Sequence, residues 1–246
     1  MLAGLLDLPG VAEAAEAARV ALGKAHRHRT NLRNWPATAA ESAVRGARSS
    51  SSLAGGGIDL TRADGDDPVL TGAVRVGQAM EGGATALVGV WRRAPRQALA
   101  RLHALAAAGL VDEEQLGRPR PDPEVAARLE LLAHLVGGGS AVPAAVLAGV
   151  AHGELLALAP FGSADDVVAR GVSRLVTISS GLDPHGLGVP EVFWMRRDEE
   201  YRRTASGFAA GDPEGVGAWL LMCCRALEDG AREALSIAEA GGQAGG

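Results

Sequence analysis

The chemistry-bearing residues of this 246-residue chain are six histidines, two cysteines and one tight run of aspartate and arginine. That run lies in LLALAPFGSADDVVARGVSRLV, residues 155–176, where Asp165 and Asp166 stand on the turn between two helical stretches. Arg170 and Arg174 follow, four apart and therefore on one helix face. The pair suits either an anion site or ion pairing to Asp166 and nearby acids, and both readings stand. A carboxylate on the turn could hold a divalent cation or serve as a base. Ser163 is placed to cap the second helix, with Asp166 three residues on as in a capping box. His152, on the preceding stretch, suits a structural histidine better than a polar contact at a site. His103 and His134 fall in apolar stripes with no ligand spacing to another residue. His26 and His28 are two apart, so they diverge on a helix and share a face only in an extended segment. Cys223 and Cys224 are helical neighbours pointing about 100° apart, which suits neither a disulfide nor a shared metal ion. They read as small buried apolar residues.

The elements that position these residues are helical. Hydrophobic residues make up 47% of the chain and aromatics only 3%, so Ala, Leu and Val must build the core through close helix packing. Residues 8–23 form a first helix between Gly10 and Gly23, and an Ala-rich helix follows Pro36. IDLTRADGDD is a polar connector. Pro68, Pro95, Pro123 and Pro143 each stand where a helix begins, since proline suits the first turn. Leu99, Leu102 and Leu105 mark one stripe; Val125, Leu129, Leu132 and Val136 mark another, closed by GGGS. Pro160 ends the helix that begins near Pro143. Residues 165–179 form the next helix, a short helix comes after GLDPHGLGVP, and a long one runs over 213–240 before the tail GGQAGG. Periodicity leaves ATALVGVW undecided. The expectation is an all-α single domain of eight to nine helices. Residues 1–33 are an N-terminal helix and connector, 34–240 the helical domain, and 241–246 a disordered tail.

The turn around residue 160 resembles the Fic (Fido) family, whose members mostly transfer AMP from ATP to a protein hydroxyl. The family signature, HPFx[DE]GNGRxxR, lies on APFGSADDVVAR, Ala159 to Arg170, and Pro160, Phe161 and Arg170 match. The resemblance implies a base at the first position, where this chain has Ala159. General-base catalysis contributes roughly 10²–10⁴-fold and needs a proton acceptor within reach, which alanine lacks. Gly162 holds the variable position, Ser163 stands at the implied Mg²⁺-binding acid, and Ala164-Asp165-Asp166 stands at the Gly-Asn-Gly phosphate cradle. The first motif arginine is Val167. Carboxylates in a first helical turn favour the helix dipole and repel the triphosphate that such a turn otherwise attracts. SSSLAG, residues 50–55, resembles the family's self-inhibitory motif [ST]xxxE[GN], with Ser50 and Gly55 kept and Ala54 in place of the glutamate. The family's flap hairpin is expected to be reduced or absent, because GRPRPDPEVAARL runs straight into a helix. Tyr201, Gly211 and Asp212 fall in the family's C-terminal helices, and the resemblance spans residues 34–235.

The net charge is −5 and HRHR is the only basic run, which argues against nucleic acid. No apolar run of about eighteen residues is present, which argues against a membrane span, and the N-terminus lacks a signal peptide's basic start. Lys24 is the sole lysine, as a GC-rich bacterial coding bias produces, and a cytoplasmic location is expected. The leading expectation is a degenerate Fic-fold pseudoenzyme: no catalytic residue, no metal ligand, and no cofactor unless residual ATP/Mg²⁺ activity persists. Its partner would be an unknown protein, or a second copy of the chain in a homodimer. The alternative is a diverged nucleotidyl- or phosphoryl-transferase acting on a protein hydroxyl, with Asp165 or Asp166 as metal ligand or base. A purely structural helical subunit of a dimeric complex is the third reading.

Overall fold

The computed structural model describes residues 2–62, 66–81, 86–138 and 141–244. Parts of the polar connector, of ATALVGVW, of the GGGS break and of the tail lie outside the described residues.

The chain forms α1 (Val11–His26), α2 (Arg29–Leu53), α3 (Pro68–Met80), α4 (Ala86–Arg93), α5 (Pro95–Ala107) and α6 (Pro123–Val136). It continues as α7 (Ala144–Leu158), α8 (Asp165–Ser179), α9 (Pro190–Arg196), α10 (Asp198–Ala210) and α11 (Pro213–Ala244). Short 3₁₀ turns lie at Ala3–Asp7, Leu60–Arg62 and Glu113–Gln115. Among the described residues there is no strand, only an isolated bridge between Ala108 and Val111.

Among the described residues there are eleven α-helices, which corrects the expected eight to nine. One of the additions is α4, where Leu87, Val88 and Trp91 bury on one face of a segment too short to show its period in sequence. Another comes from the stretch after Pro190, which holds two helices because Arg197 leaves helical geometry at φ −129°, ψ 41°. No glycine or proline marks that break. A kink also interrupts α2 at Asn34 (φ −149°, ψ 52°), just ahead of Pro36, whose ring cannot sit within an unbroken helix.

At the centre lies α8, buried without interruption from Val167 to Ile178. It runs beside α7 and packs against α2, α3, α4 and α5. One apolar cluster joins α3 to α8, and a second joins α1, α2, α7 and α9 to α11. Small residues let the backbones close up, as the composition requires. A Cβ on Gly72 would stand 2.1 Å from the Ala106 carbonyl oxygen, so α3 crosses α5 only through glycine. Cys223 and Cys224 are free and buried, and burial raises both thiols, Cys224 to about 12.

Candidate functional site

The loop between α7 and α8 turns through three left-handed residues: Ala159 at φ 42°, Gly162 at φ 77° and Ala164 at φ 50°. An alanine in this region is strained by about 1–2 kcal/mol, so other contacts must over-determine the turn. Arg120, from the extended stretch ahead of α6, supplies one set. Its guanidinium donates to Leu158 O at 3.0 Å and Ala159 O at 3.1 Å, and its backbone N–H donates to Pro160 O at 2.8 Å. These bonds satisfy carbonyls that the end of α7 would otherwise leave open.

His103 supplies the second set. Its ring stacks on Phe161 with centroids 4.1 Å apart and planes 4° apart. Its Nδ1 accepts the Gly117 N–H at 2.9 Å, so the neutral ring carries its proton on Nε2, which donates to Ser163 Oγ at 3.1 Å. Burial lowers the His103 pKa and keeps the ring neutral. A donor toward Ser163 cannot take its proton, so the pair is no Ser–His nucleophile. Ser163 is thereby drawn away from α8. The residue at its N-cap position is Ala164, and no side chain there accepts a hydrogen bond, which corrects the expected capping box.

The aspartates fill that gap differently. Asp165 Oδ1 accepts the Phe161 N–H at 2.9 Å, folding back over the loop. Burial holds its carboxyl above the ordinary range, while the Phe161 and Gly162 amides pull the other way. Asp166 Oδ1 accepts the Val167 N–H at 2.8 Å, and Oδ2 accepts from Arg170 at 3.0 Å.

Arg170 is 2% exposed and brings distant segments together. Nε donates to Ser50 Oγ at 2.8 Å and Nη2 to Ser50 O at 2.8 Å; Nη1 lies 3.5 Å from the Tyr201 hydroxyl. Ser50 stands one turn before Ala54, the C-cap of α2, and Gly55 turns the chain away at φ 82°. The hydroxyl of Tyr201 is also 2.9 Å from His152 Nε2, and burial pushes its pKa up to about 12. His152 sits among Trp194, Tyr201 and Trp219, fully buried, its pKa lowered first by burial and then by Arg170. Its Nδ1 has no partner.

Arg174 turns instead to Glu191, at 3.0 Å, and to Gly186 O, at 3.1 Å. Both arginines are therefore committed to protein acceptors. The cavity they line measures about 20 Å³, room for a single water molecule. Among the described residues, no group of three or more His, Cys, Asp or Glu side chains could hold a metal ion. His26 bonds to Asp183, whereas His28 accepts the Thr30 N–H at the start of α2, so the two do not converge. His134 is exposed rather than part of the α6 stripe.

The same helical arrangement occurs in a known crystal structure, that of a Fic family protein from Desulfovibrio desulfuricans G20. The match covers 93% of this chain and 74% of the other, with a TM-score of 0.71 at 17% sequence identity. The fold is Fic-like. No family model and no curated protein sequence matches the chain. Within the Fic-like fold, the loop and the residue 50–55 segment, singled out separately in sequence, meet through Arg170 and Ser50. Arg120 and His103 are the loop's main supports and carried no sequence signal of that role: Arg120 lies in a proline-rich break and His103 in an apolar stripe. No helix among the described residues is long and apolar enough to cross a membrane.

Proposed function

We propose that this Fic-fold chain has given up AMP transfer and acts by binding a protein partner, as a regulatory pseudoenzyme. The observation that carries the reading is the self-satisfaction of the anion-binding groups. Arg170 is spent on Ser50 and Asp166, and the Phe161 N–H is covered by the Asp165 carboxylate. A triphosphate would have to displace two carboxylates and enter a space of about 20 Å³ beside the arginines. Ser163, at the position of the implied metal-binding acid, is held by His103, and Ala159 has no group to accept a proton. These residues do not fit Mg-ATP. The transferase alternative would use Asp165 or Asp166, of which Asp166 is ion-paired with Arg170 and Asp165 is folded back onto the Phe161 N–H.

The test is a melting titration with millimolar ATP, GTP, CTP and UTP, with and without Mg²⁺. A ligand of the native state raises the melting temperature with saturation, and a change below about 1 °C is expected for all four. AMP transfer to a protein acceptor is expected from neither the wild type nor Ala159→His, because a restored base would not free the occupied amides. Mg-ATP-dependent transfer by the wild type would overturn the proposal.

A further inference from the structure

The connection between α8 and α9 carries a second cluster of titratable groups, remote from Arg170 in role. Asp183, 4% exposed, builds the turn by accepting the Leu187 N–H at 2.9 Å on Oδ1 and the Gly188 N–H at 2.8 Å on Oδ2. His26, at the end of α1, places Nε2 2.8 Å from Asp183 Oδ1. His185, two residues after Asp183, stacks face to face on Trp35, centroids 4.1 Å apart and planes 4° apart. The His26 and His185 rings lie 5.4 Å apart. Two imidazoles therefore share one carboxylate, and only His26 touches it.

We propose that His26, Asp183 and His185 form an acid-operated latch, in which protonation of His185 expels it from its stack on Trp35 and unfastens the α8–α9 connection from the kinked start of α2. A proton on His185 arrives beside the His26 ring with the carboxylate already engaged by His26, Leu187 and Gly188. Partly buried, His185 relieves the repulsion with His26 by rotating into water, against its stack on Trp35. The other charges nearby do not compensate. Arg174 of α8 is close enough to act on Asp183 but is held by Glu191 of α9, and Arg27 turns its guanidinium back along α1 to Gly23. Burial and the His26 charge lower the His185 pKa, with Asp183 opposing them. A folded value below the ordinary 6.5 means the unfolded chain binds the proton more readily. The latch is thus whole above that pH, and its contribution is lost as the pH falls through the folded value.

Tryptophan emission of the full chain between pH 8 and pH 4.5 tests this, with circular dichroism confirming that the fold persists. The wild type is expected to show one step with a midpoint below 6.5, the ordinary histidine value. The step is expected to vanish in Trp35→Phe and in His185→Gln, whose side chains border solvent. In His26→Gln it moves up by about 0.5–1 pH unit, the effect of removing a charge at this distance near a surface. Glutamine can still donate to Asp183, so this variant keeps its fold. The absence of a step in the wild type, its persistence in Trp35→Phe, or an unmoved midpoint in His26→Gln would each overturn the latch.

Discussion

Replacing Arg170 by methionine keeps most of its buried stem and removes only the guanidinium. The perturbation therefore asks whether that group holds the protein together or waits for a ligand. Three of its bonds measure 2.8–3.0 Å: two to Ser50 and one to Asp166. Bonds to a charged group contribute about 1.5–3 kcal/mol each, so three would suggest a loss of about 4.5–9 kcal/mol if they added. They do not, because most of the partners keep another bond or reach water. Ser50 O still accepts the Ala54 N–H, Tyr201 keeps His152, and the Asp166 side chain, 35% exposed and bonded to Val167, can turn to water. Removing the cation also ends its own desolvation cost. A net loss of about 2–4 kcal/mol remains. In a domain of this size about 1 kcal/mol moves the melting temperature by 2–4 °C, so Arg170→Met is expected to melt roughly 5–12 °C lower. Urea unfolding should show the same loss with an unchanged slope, since the surface exposed on unfolding is nearly the same. The reasoning fails if Arg170→Met melts within about 1 °C of the wild type while nucleotide stabilises the wild type alone. That pair of results would identify a guanidinium free for an anion.

Two further substitutions probe the loop itself. Ala164→Gly relieves left-handed strain of about 1–2 kcal/mol at the expense of about 0.5–1 kcal/mol of glycine entropy, so the urea midpoint is expected to rise by the equivalent of about 0.5 kcal/mol. A lower midpoint would mean that the Ala164 methyl matters more to the adjoining core than its backbone strain. For Asp165, a folded pKa above the ordinary 3.8 means the folded state binds the proton more tightly than the unfolded state does. Its contribution is present below the ordinary value and lost as pH rises through the folded one. Asp165→Asn, which can still accept the Phe161 N–H, is therefore expected to melt above the wild type at pH 7, the gap closing as pH falls toward about 4. A gap that widens on acidification would refute the assignment.

Proline made much of the architecture legible in sequence. Pro68, Pro95 and Pro123 stand at the starts of α3, α5 and α6, and Pro160 closes off α7, because a fixed φ and a missing N–H act locally. What escaped was set by tertiary contacts. The break at Arg197 carries no glycine or proline; it falls where α9, packed against α2 and α11, gives way to α10. Ser163 has the side chain of a cap, but His103, sixty residues earlier, competes for its hydroxyl. His103 and Arg120 could not be tied to the loop from spacing, since their partners are set by how α5 and the stretch before α6 pack on it.

The substitutions singled out in the loop and in the 50–55 segment form one electrostatic problem. A guanidinium as buried as that of Arg170 needs an opposite charge, because desolvation outweighs what neutral acceptors return. The resemblance places a glutamate at residue 54, where this chain has alanine, and a glycine at residue 166, where it has aspartate. Asp166 lies one helical turn before Arg170 and reaches it at 3.0 Å, while Ser50, one turn before Ala54, satisfies two further N–H groups. The counter-charge therefore comes from α8 itself rather than from α2. On the proposed reading this has a functional consequence. A carboxylate carried on another segment can withdraw and leave the arginine to a phosphate, whereas Asp166 is fixed to the same turn and cannot. On that reading Asp166 keeps the site closed, which is why a base introduced at Ala159 is not expected to produce transfer.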